Sequence, residues 1–253
     1  MLPNIFDNKF LKNKIHYEHP VVVELQNLLN QTLQERLSLF SRNFSFKVLH
    51  ELTHCRVADN FIEIDPEILP FKHHSFDLIF SAGPLMLTND IPGVLKQWYA
   101  ALKPGGVFMA AFIGEDSLAE LKNCFLSVEE AYRLPHHLRF FPTVATKDAG
   151  MLMQRAGFHL PTADRTRHVF KVSTLFELLK AIKAMGGNLL HNKSKSQLTK
   201  EFLKAVEVEY FKRYPHSDKL IVTVDIICMS GWAIEYYGDE RIQQNTRKSM
   251  GYL

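Results

Sequence analysis

The chain has 253 residues, 46% of them hydrophobic and 23% charged, with a formal net charge of +3. That is enough chain to bury a sizeable core as one elaborated domain, and so weak a charge excludes the electrostatic footprint of a nucleic-acid-binding protein. No apolar run approaches the roughly 20 residues that span a bilayer, which excludes a transmembrane segment. Cys55, Cys124 and Cys228 are too few and too scattered for a disulfide framework and point to a reducing compartment. The stretch from Met1 to Lys14 mixes Asp7 with lysines and lacks the arginine-rich, acid-poor character of a transit peptide, so the expected location is cytoplasmic.

From Val21 to Phe40 the residues Val22, Leu25, Leu28, Leu29, Leu33 and Leu37 recur at helical spacing and predict an amphipathic helix. Phe44 to Leu52 reads as a first strand, Phe61 to Asp65 as a short alternating strand closed by Pro66, and Asp77 to Ser81 as an apolar strand buried on both faces. Asn89 or Asp90 caps a helix with Pro92 in its first turn; the helix stops at Lys103-Pro104-Gly105-Gly106, before a strand from Val107 to Phe112. Such alternation implies an α/β fold with a mostly parallel, doubly wound sheet and helices on both faces.

Past Gly114 the pattern becomes more helical. Asp116-Ser117 is expected to cap a helix from Leu118 to Tyr132, a loop runs through Pro135 and Pro142, and a helix from Thr146 to Ala156 ends at Gly157. Phe158 to Thr162 and His168 to Val172 read as two strands. Ser173 is expected to cap a helix from Leu175 to Met185, which Gly186-Gly187 breaks. A lysine-rich loop, a helix from Gln197 to Tyr214 and a long β-branched strand from Leu220 to Ile234, suited to the sheet edge, complete the ordered part. Residues 1–234 are thus expected to form one domain, with helical cap elements at 114–150 and 173–219 and a polar tail at 235–253.

Several motifs follow one another in a telling order: Asn4-Ile5-Phe6-Asp7, Asp65-Pro66-Glu67-Ile68-Leu69-Pro70-Phe71, Phe76-Asp77-Leu78-Ile79, Asn89-Asp90-Ile91-Pro92, Leu102-Lys103-Pro104-Gly105-Gly106-Val107-Phe108, Gly114-Glu115-Asp116-Ser117-Leu118-Ala119-Glu120-Leu121, Arg155-Ala156-Gly157-Phe158 and Met185-Gly186-Gly187-Asn188. With them the chain resembles class I S-adenosylmethionine (SAM) methyltransferases. The likeness is to the branch that contains the malonyl-acyl-carrier-protein methyltransferase of biotin synthesis and the mitochondrial complex I assembly factor that hydroxylates arginine. The resemblance implies a Rossmann-like fold, SAM as cofactor, and a protein or acyl-carrier acceptor. Asn-Ile-Phe-Asp at the start, the segment from Asp148 to Phe158 and Gly231-Trp232 bring it nearer to the complex I assembly factor.

The resemblance places Asp65 where the family's acid bonds the adenine amino group; the alternative is that Asp65 merely starts a turn with Pro66. It places Ser81, Ala82 and Gly83 where the fourth strand ends beside the cofactor, with Gly83 permitting close backbone approach. Met86 and Leu87 stand where the family usually carries a histidine and an aromatic residue. No residue is assigned a catalytic role. The family's acid followed by a glycine-rich turn has no counterpart between Asn43 and Pro66. Only 13 residues separate Glu51 from Asp65, where a doubly wound fold needs a helix, a second strand and its return. About one βα unit is therefore expected to be missing, and with it the loop that cradles the cofactor.

Other clusters have plainer readings. His50-x3-His54-Cys55 has metal-ligand spacing if helical, but a strand there is the favoured reading and no metal is expected. His73-His74 and His136-His137 read as solvated turns, and Lys193, Lys195 and Lys200 as a solvated loop in preference to a dock for an acidic carrier. The expectation is a family member with a degenerate SAM loop that works through a protein partner, a respiratory complex subunit or an acyl carrier protein. The alternatives are an active SAM-dependent methyltransferase and a homo-oligomer that covers the vacated face.

Overall fold

The computed structural model describes residues 19–45, 47–51, 54–57, 60–63, 67–135, 140, 142–185, 198–215 and 218–234, and from 51 to 63 it describes the backbone alone. The strands are β1 (Lys47–Glu51), β2 (His54–Val57), β3 (Asn60–Glu63), β4 (Phe76–Ala82), β5 (Leu102–Ile113), β6 (His159–Val172) and β7 (Leu220–Ala233). The helices are α1 (Pro20–Leu37), α2 (Ile91–Ala101), α3 (Ala119–Ala131), α4 (Thr146–Ala156), α5 (Leu175–Ala184) and α6 (Lys200–Arg213).

The sheet has the order β3-β2-β1-β4-β5-β7-β6. β4 lies parallel to β1 on one side and to β5 on the other, with Val48 opposite Ile79, His50 opposite Ser81, and Ile79 in turn opposite Phe108. All but one residue of β4 are buried, which is why its sequence is a continuous apolar run and not an alternating one. The α/β reading with a parallel centre holds.

The interval that looked too short for a βα unit contains a strand that the sequence did not reveal. β2 pairs antiparallel with β1 and β3 antiparallel with β2. Only residues 52–53 separate β1 from β2, and only 58–59 separate β2 from β3. A parallel return needs a crossover of a dozen or more residues, so these connections allow reversal alone.

Other expectations need correction. The long strand from Leu220 is not at the sheet edge: β7 lies between β5 and β6. The two strands expected within 158–172 are one continuous strand, β6. The polar interval between them looked like a break, yet its residues have partners, Asp164 pairing with Arg36 and Arg167 with Asp225. Asp116 and Ser117 do not cap α3; its N-cap is Leu118, at φ 60°, with no side-chain cap bond. Thr174, and not Ser173, caps α5 by accepting from the Glu177 amide. Asp90 caps α2, accepting from the Gly93 amide, and Gly157 at φ 102° ends α4. The Gly186-Gly187 break, Lys193, Lys195 and His136-His137 lie outside the described residues.

The described residues group into two compact units. One comprises those of Leu25–Phe112, Val144–Arg165 and Ile227–Leu253. In it, Leu25, Leu29 and Leu33 form the buried stripe of α1, and Val94, Leu95, Trp98 and Ala101 that of α2, which packs against α4. Gly231 is where β7 passes closest to its neighbours, since a Cβ there would meet the Met153 Cε and Phe158 Cβ at 2.9 Å.

The other unit comprises the described residues of Met1–Glu24, Ile113–Thr143 and Thr166–Ile226. Here α3 packs against α6, with the rings of Phe125 and Phe202 5.7 Å apart. The buried Tyr210 hydroxyl donates to the Ile221 carbonyl, which ties α6 to β7.

Candidate functional site

In an open α/β sheet, ligands bind beyond the carboxyl ends of the strands where the strand order reverses. Here that point lies between β1 and β4, because the chain runs outward from β1 to β3 and then returns to β1's other side.

Residues from distant parts of the sequence come together beside it. His50, next to last in β1, is 2% exposed, and its Nδ1 lies 3.4 Å from the Ser81 Oγ. The His50 ring packs against Trp98 of α2 at 5.3 Å between centroids, and Phe71 stacks on Trp98 at 5.6 Å and 26°. Gln26, from α1, donates its side-chain amide to the Ala82 carbonyl at 3.2 Å. Trp98 is 0% exposed, and its indole Nε1 has no acceptor among the described residues.

Ser81 and Ala82 are 1% and 0% exposed. Gly83 has φ 104°, in the region that favours glycine, and its amide donates to the Ala111 carbonyl at 2.8 Å. A short 3-10 turn over Pro84–Leu87 follows, with all four side chains buried, Met86 and Leu87 among them. Asp65 lies outside the described residues, but the segment just after it is anchored. Gln97 accepts from the Leu69 amide at 2.9 Å and donates to the Glu67 carbonyl at 2.8 Å, and the Glu67 carboxylate accepts from the Asn89 amide.

The sequence reading pointed to Ser81, Ala82 and Gly83, which the structure places at the end of β4; it did not single out Gln26 or Trp98, and it weighed His50 only as a metal ligand. The helical spacing of His50 and His54 does not arise, because they sit on the successive strands β1 and β2. Among the described residues no group of three or more His, Cys, Asp or Glu side chains is placed to hold a metal ion.

The segment after β5 is fixed within its own unit. The Ser117 hydroxyl donates to the Asp225 carbonyl and accepts from its amide, and the Gly114 amide donates to the same carbonyl. Hydrogen bonding to Asp225, and then its charge, raises the Arg167 guanidinium pKa further. Glu120, in the first turn of α3, accepts from both the amide and the hydroxyl of Thr223.

A family model described as a methyltransferase domain matches residues 28–110, from α1 through most of β5. The arginine-hydroxylase NDUFAF5, mitochondrial, of Mus musculus is 36% identical over 173 residues, covering 66% of this chain and 49% of that protein. Its Danio rerio counterpart is 31% identical over 209 residues, covering 81% and 63%. By these matches the chain is similar to proteins of the methyltransferase family. A second group also matches: the malonyl-[acyl-carrier protein] O-methyltransferase 1 of Coxiella burnetii is 27% identical over 160 residues, covering 63% of the chain and 54% of that protein. The chain spans about half to just under two thirds of the length of these relatives. No described helix is long and apolar enough to cross a membrane.

Proposed function

We propose that this protein is a member of the methyltransferase family with a degenerate SAM loop, and that it acts by binding a protein partner. The observation that carries this reading is the antiparallel return of β2 only two residues after β1. In a SAM-binding sheet a glycine-rich turn and a helix N-terminus follow the first strand and present backbone amides to the ligand. A strand in that position has its amides committed to the ladder.

The residues at the end of β4 fit SAM poorly as well. Ser81 and Ala82 are buried, the Ala82 carbonyl accepts from Gln26, and Met86 and Leu87 are packed away. The polar groups that a cofactor would use are thus already engaged or covered. We therefore route no chemical step through SAM.

As to the partner, the relatives named as an arginine-hydroxylase and as an acyl-carrier-protein methyltransferase support a protein surface, and the resemblance read in the sequence makes it a respiratory complex subunit or an acyl carrier protein. The longer matches to the first group favour the respiratory complex and a role in its assembly. We propose the cytoplasm as the compartment; the buried, unbridged Cys124 and Cys228 fit a reducing one.

A second reading, an active SAM-dependent methyltransferase, is favoured by one feature. Gly83 keeps the left-handed backbone at the end of β4 that lets a ligand approach closely. On this reading Asp65, Ser81, Ala82 and Gly83 hold the cofactor.

Calorimetric titration with SAM and its demethylated product separates the two. No heat at millimolar ligand is expected. Micromolar binding, about −8 kcal/mol, that disappears in Asp65→Ala overturns the cofactor-less reading. Co-purification of a respiratory complex subunit with the tagged protein is the expected sign of the partner role, and its absence at cellular concentrations counts against it.

A further inference from the structure

We propose that the rim of the sheet where β1, β4 and β5 begin is a docking surface, and that it takes an acidic segment of a protein partner. The inference rests on the protein-partner reading and adds the place and the chemistry of the contact.

The three strands run parallel, so their starts share one end of the sheet, away from the carboxyl ends where a ligand binds. Lys47 begins β1 and stands in register with Leu78, while Phe76 begins β4 opposite Leu102, the first residue of β5. The next pair in that ladder is Leu78 with Val107, so Lys103-Pro104-Gly105-Gly106 lies opposite Asp77 alone and bulges at this rim. Two strand spacings, about 10 Å, separate β1 from β5. Arg42 bridges them, donating from the segment before β1 to the Gly105 carbonyl at 2.7 Å. The turn before β4 is fixed to the same rim. The His74 and Ser75 amides donate to the Ala100 and Ala101 carbonyls, and the Ser75 hydroxyl to the Lys72 carbonyl.

The sequence makes this rim positive. Residues 38–50, 68–76 and 91–114, which supply it, contain no Asp or Glu. Asp77, just inside β4, is buried and accepts from the Ser45 amide at 3.1 Å. Arg42, Lys47, Lys72 and Lys103 all stand on these segments. Lys47 and Lys72 are exposed, and among the described residues neither they nor Arg42 form an ion pair. Cations gathered without an anion repel one another, and an acidic partner relieves that repulsion.

Two observations favour a protein segment over a phosphate polymer. The whole chain carries only +3, so the positive field is local to the rim. The rim also has apolar surface: Leu39, in the segment that carries Arg42, is 79% exposed, and Pro104 stands exposed beside Lys103. A peptide can pack an apolar side chain there while its carboxylates meet the cations. A second copy of this chain is disfavoured, because facing rims set lysine against lysine.

The test is fluorescence anisotropy of labelled deca-glutamate with the full chain at low salt. Wild type should bind it saturably, and added salt should weaken the binding. Lys47→Glu with Lys72→Glu should weaken it about tenfold or more. The same change of charge on α5 and α6, Lys183→Glu with Lys204→Glu, should leave it nearly unchanged. No binding by wild type, equal weakening by both pairs, or tighter binding of labelled oligothymidylate than of the peptide overturns the docking surface. Both rim lysines are exposed, so the variant should melt with wild type; if it does not, the neutral pair Lys47→Gln with Lys72→Gln decides in its place. The two readings fail separately. A respiratory subunit that co-purifies equally with wild type and the rim variant sinks the surface alone, and one that co-purifies with neither sinks the partner reading.

Discussion

Arg167 holds the carboxylate of Asp225 at two points, Nε on Oδ1 at 2.8 Å and Nη2 on Oδ2 at 3.1 Å. Asp225 is fully buried, whereas the Arg167 side chain is half exposed and also reaches Asp116 at 2.9 Å. Removing one partner of a buried charge leaves the other uncompensated, while replacing both restores neutrality. Arg167→Gln should therefore lower the Tm, and adding Asp225→Asn should recover part of the loss. A double-mutant cycle in urea measures the coupling; strict additivity would show that the pair contributes nothing of its own.

Ser117→Ala should cost about 1–3 kcal/mol, because it strands the buried Asp225 amide that now bonds the hydroxyl. Urea midpoints compared with wild type give the value. A loss near zero would mean that another acceptor reaches that amide.

Gly231→Ala should destabilise by about 1–3 kcal/mol through overpacking. Its new methyl would meet the flexible end of Met153 and the Cβ of Phe158, both at 2.9 Å. The methionine can move aside but a Cβ is tied to its backbone, so shortening Met153 should not rescue the variant. Thermal melts of the single and double variants check this.

Burial pushes the Cys124 thiol up to about 11 and the Cys228 thiol up to about 12, from an ordinary 9.0. The folded thiols keep protons that the unfolded chain releases. Their contribution is intact below pH 9.0 and is lost as pH rises through that window to about 11 and about 12. The slope is at most about 1.4 kcal/mol per pH unit for each thiol. Urea unfolding under reducing conditions from neutral pH upward should show this fall, and Cys228→Ala should flatten it. A thiol reagent should label both residues only after unfolding.

Much of this fold was readable where one local signal sufficed. The apolar run at Phe76 marked β4, Asp90 and Pro92 marked the start of α2, and Gly157 marked the end of α4. Where a residue had competing uses, the local reading failed. Ser117 looks like a helix cap but spends its hydroxyl on β7, more than a hundred residues away. β2 was hidden because His54-Cys55-Arg56-Val57, although polar and apolar residues alternate in it, is only four residues long and carries no proline or glycine turn signal at either end. At the candidate site, Ser81, Ala82 and Gly83 were pointed to by the resemblance, whereas Gln26 and Trp98 arrive from α1 and α2, and helical spacing marks a buried face without saying which strand residue it meets.

The β1–β2–β3 meander also changes the order in which the sheet can be built. A parallel pair waits for its crossover: β1 meets β4 only after residues 52–75 have been placed. The two antiparallel pairings close over two residues each. Hairpins of this kind form in about 1–10 μs, ahead of pairings whose loop closure costs more entropy. This border is thus the part of the sheet that can zip first, offering β1 already flanked to an incoming β4. Hydrogen-exchange labelling early in refolding would see its amides protected before those of β4 and β5.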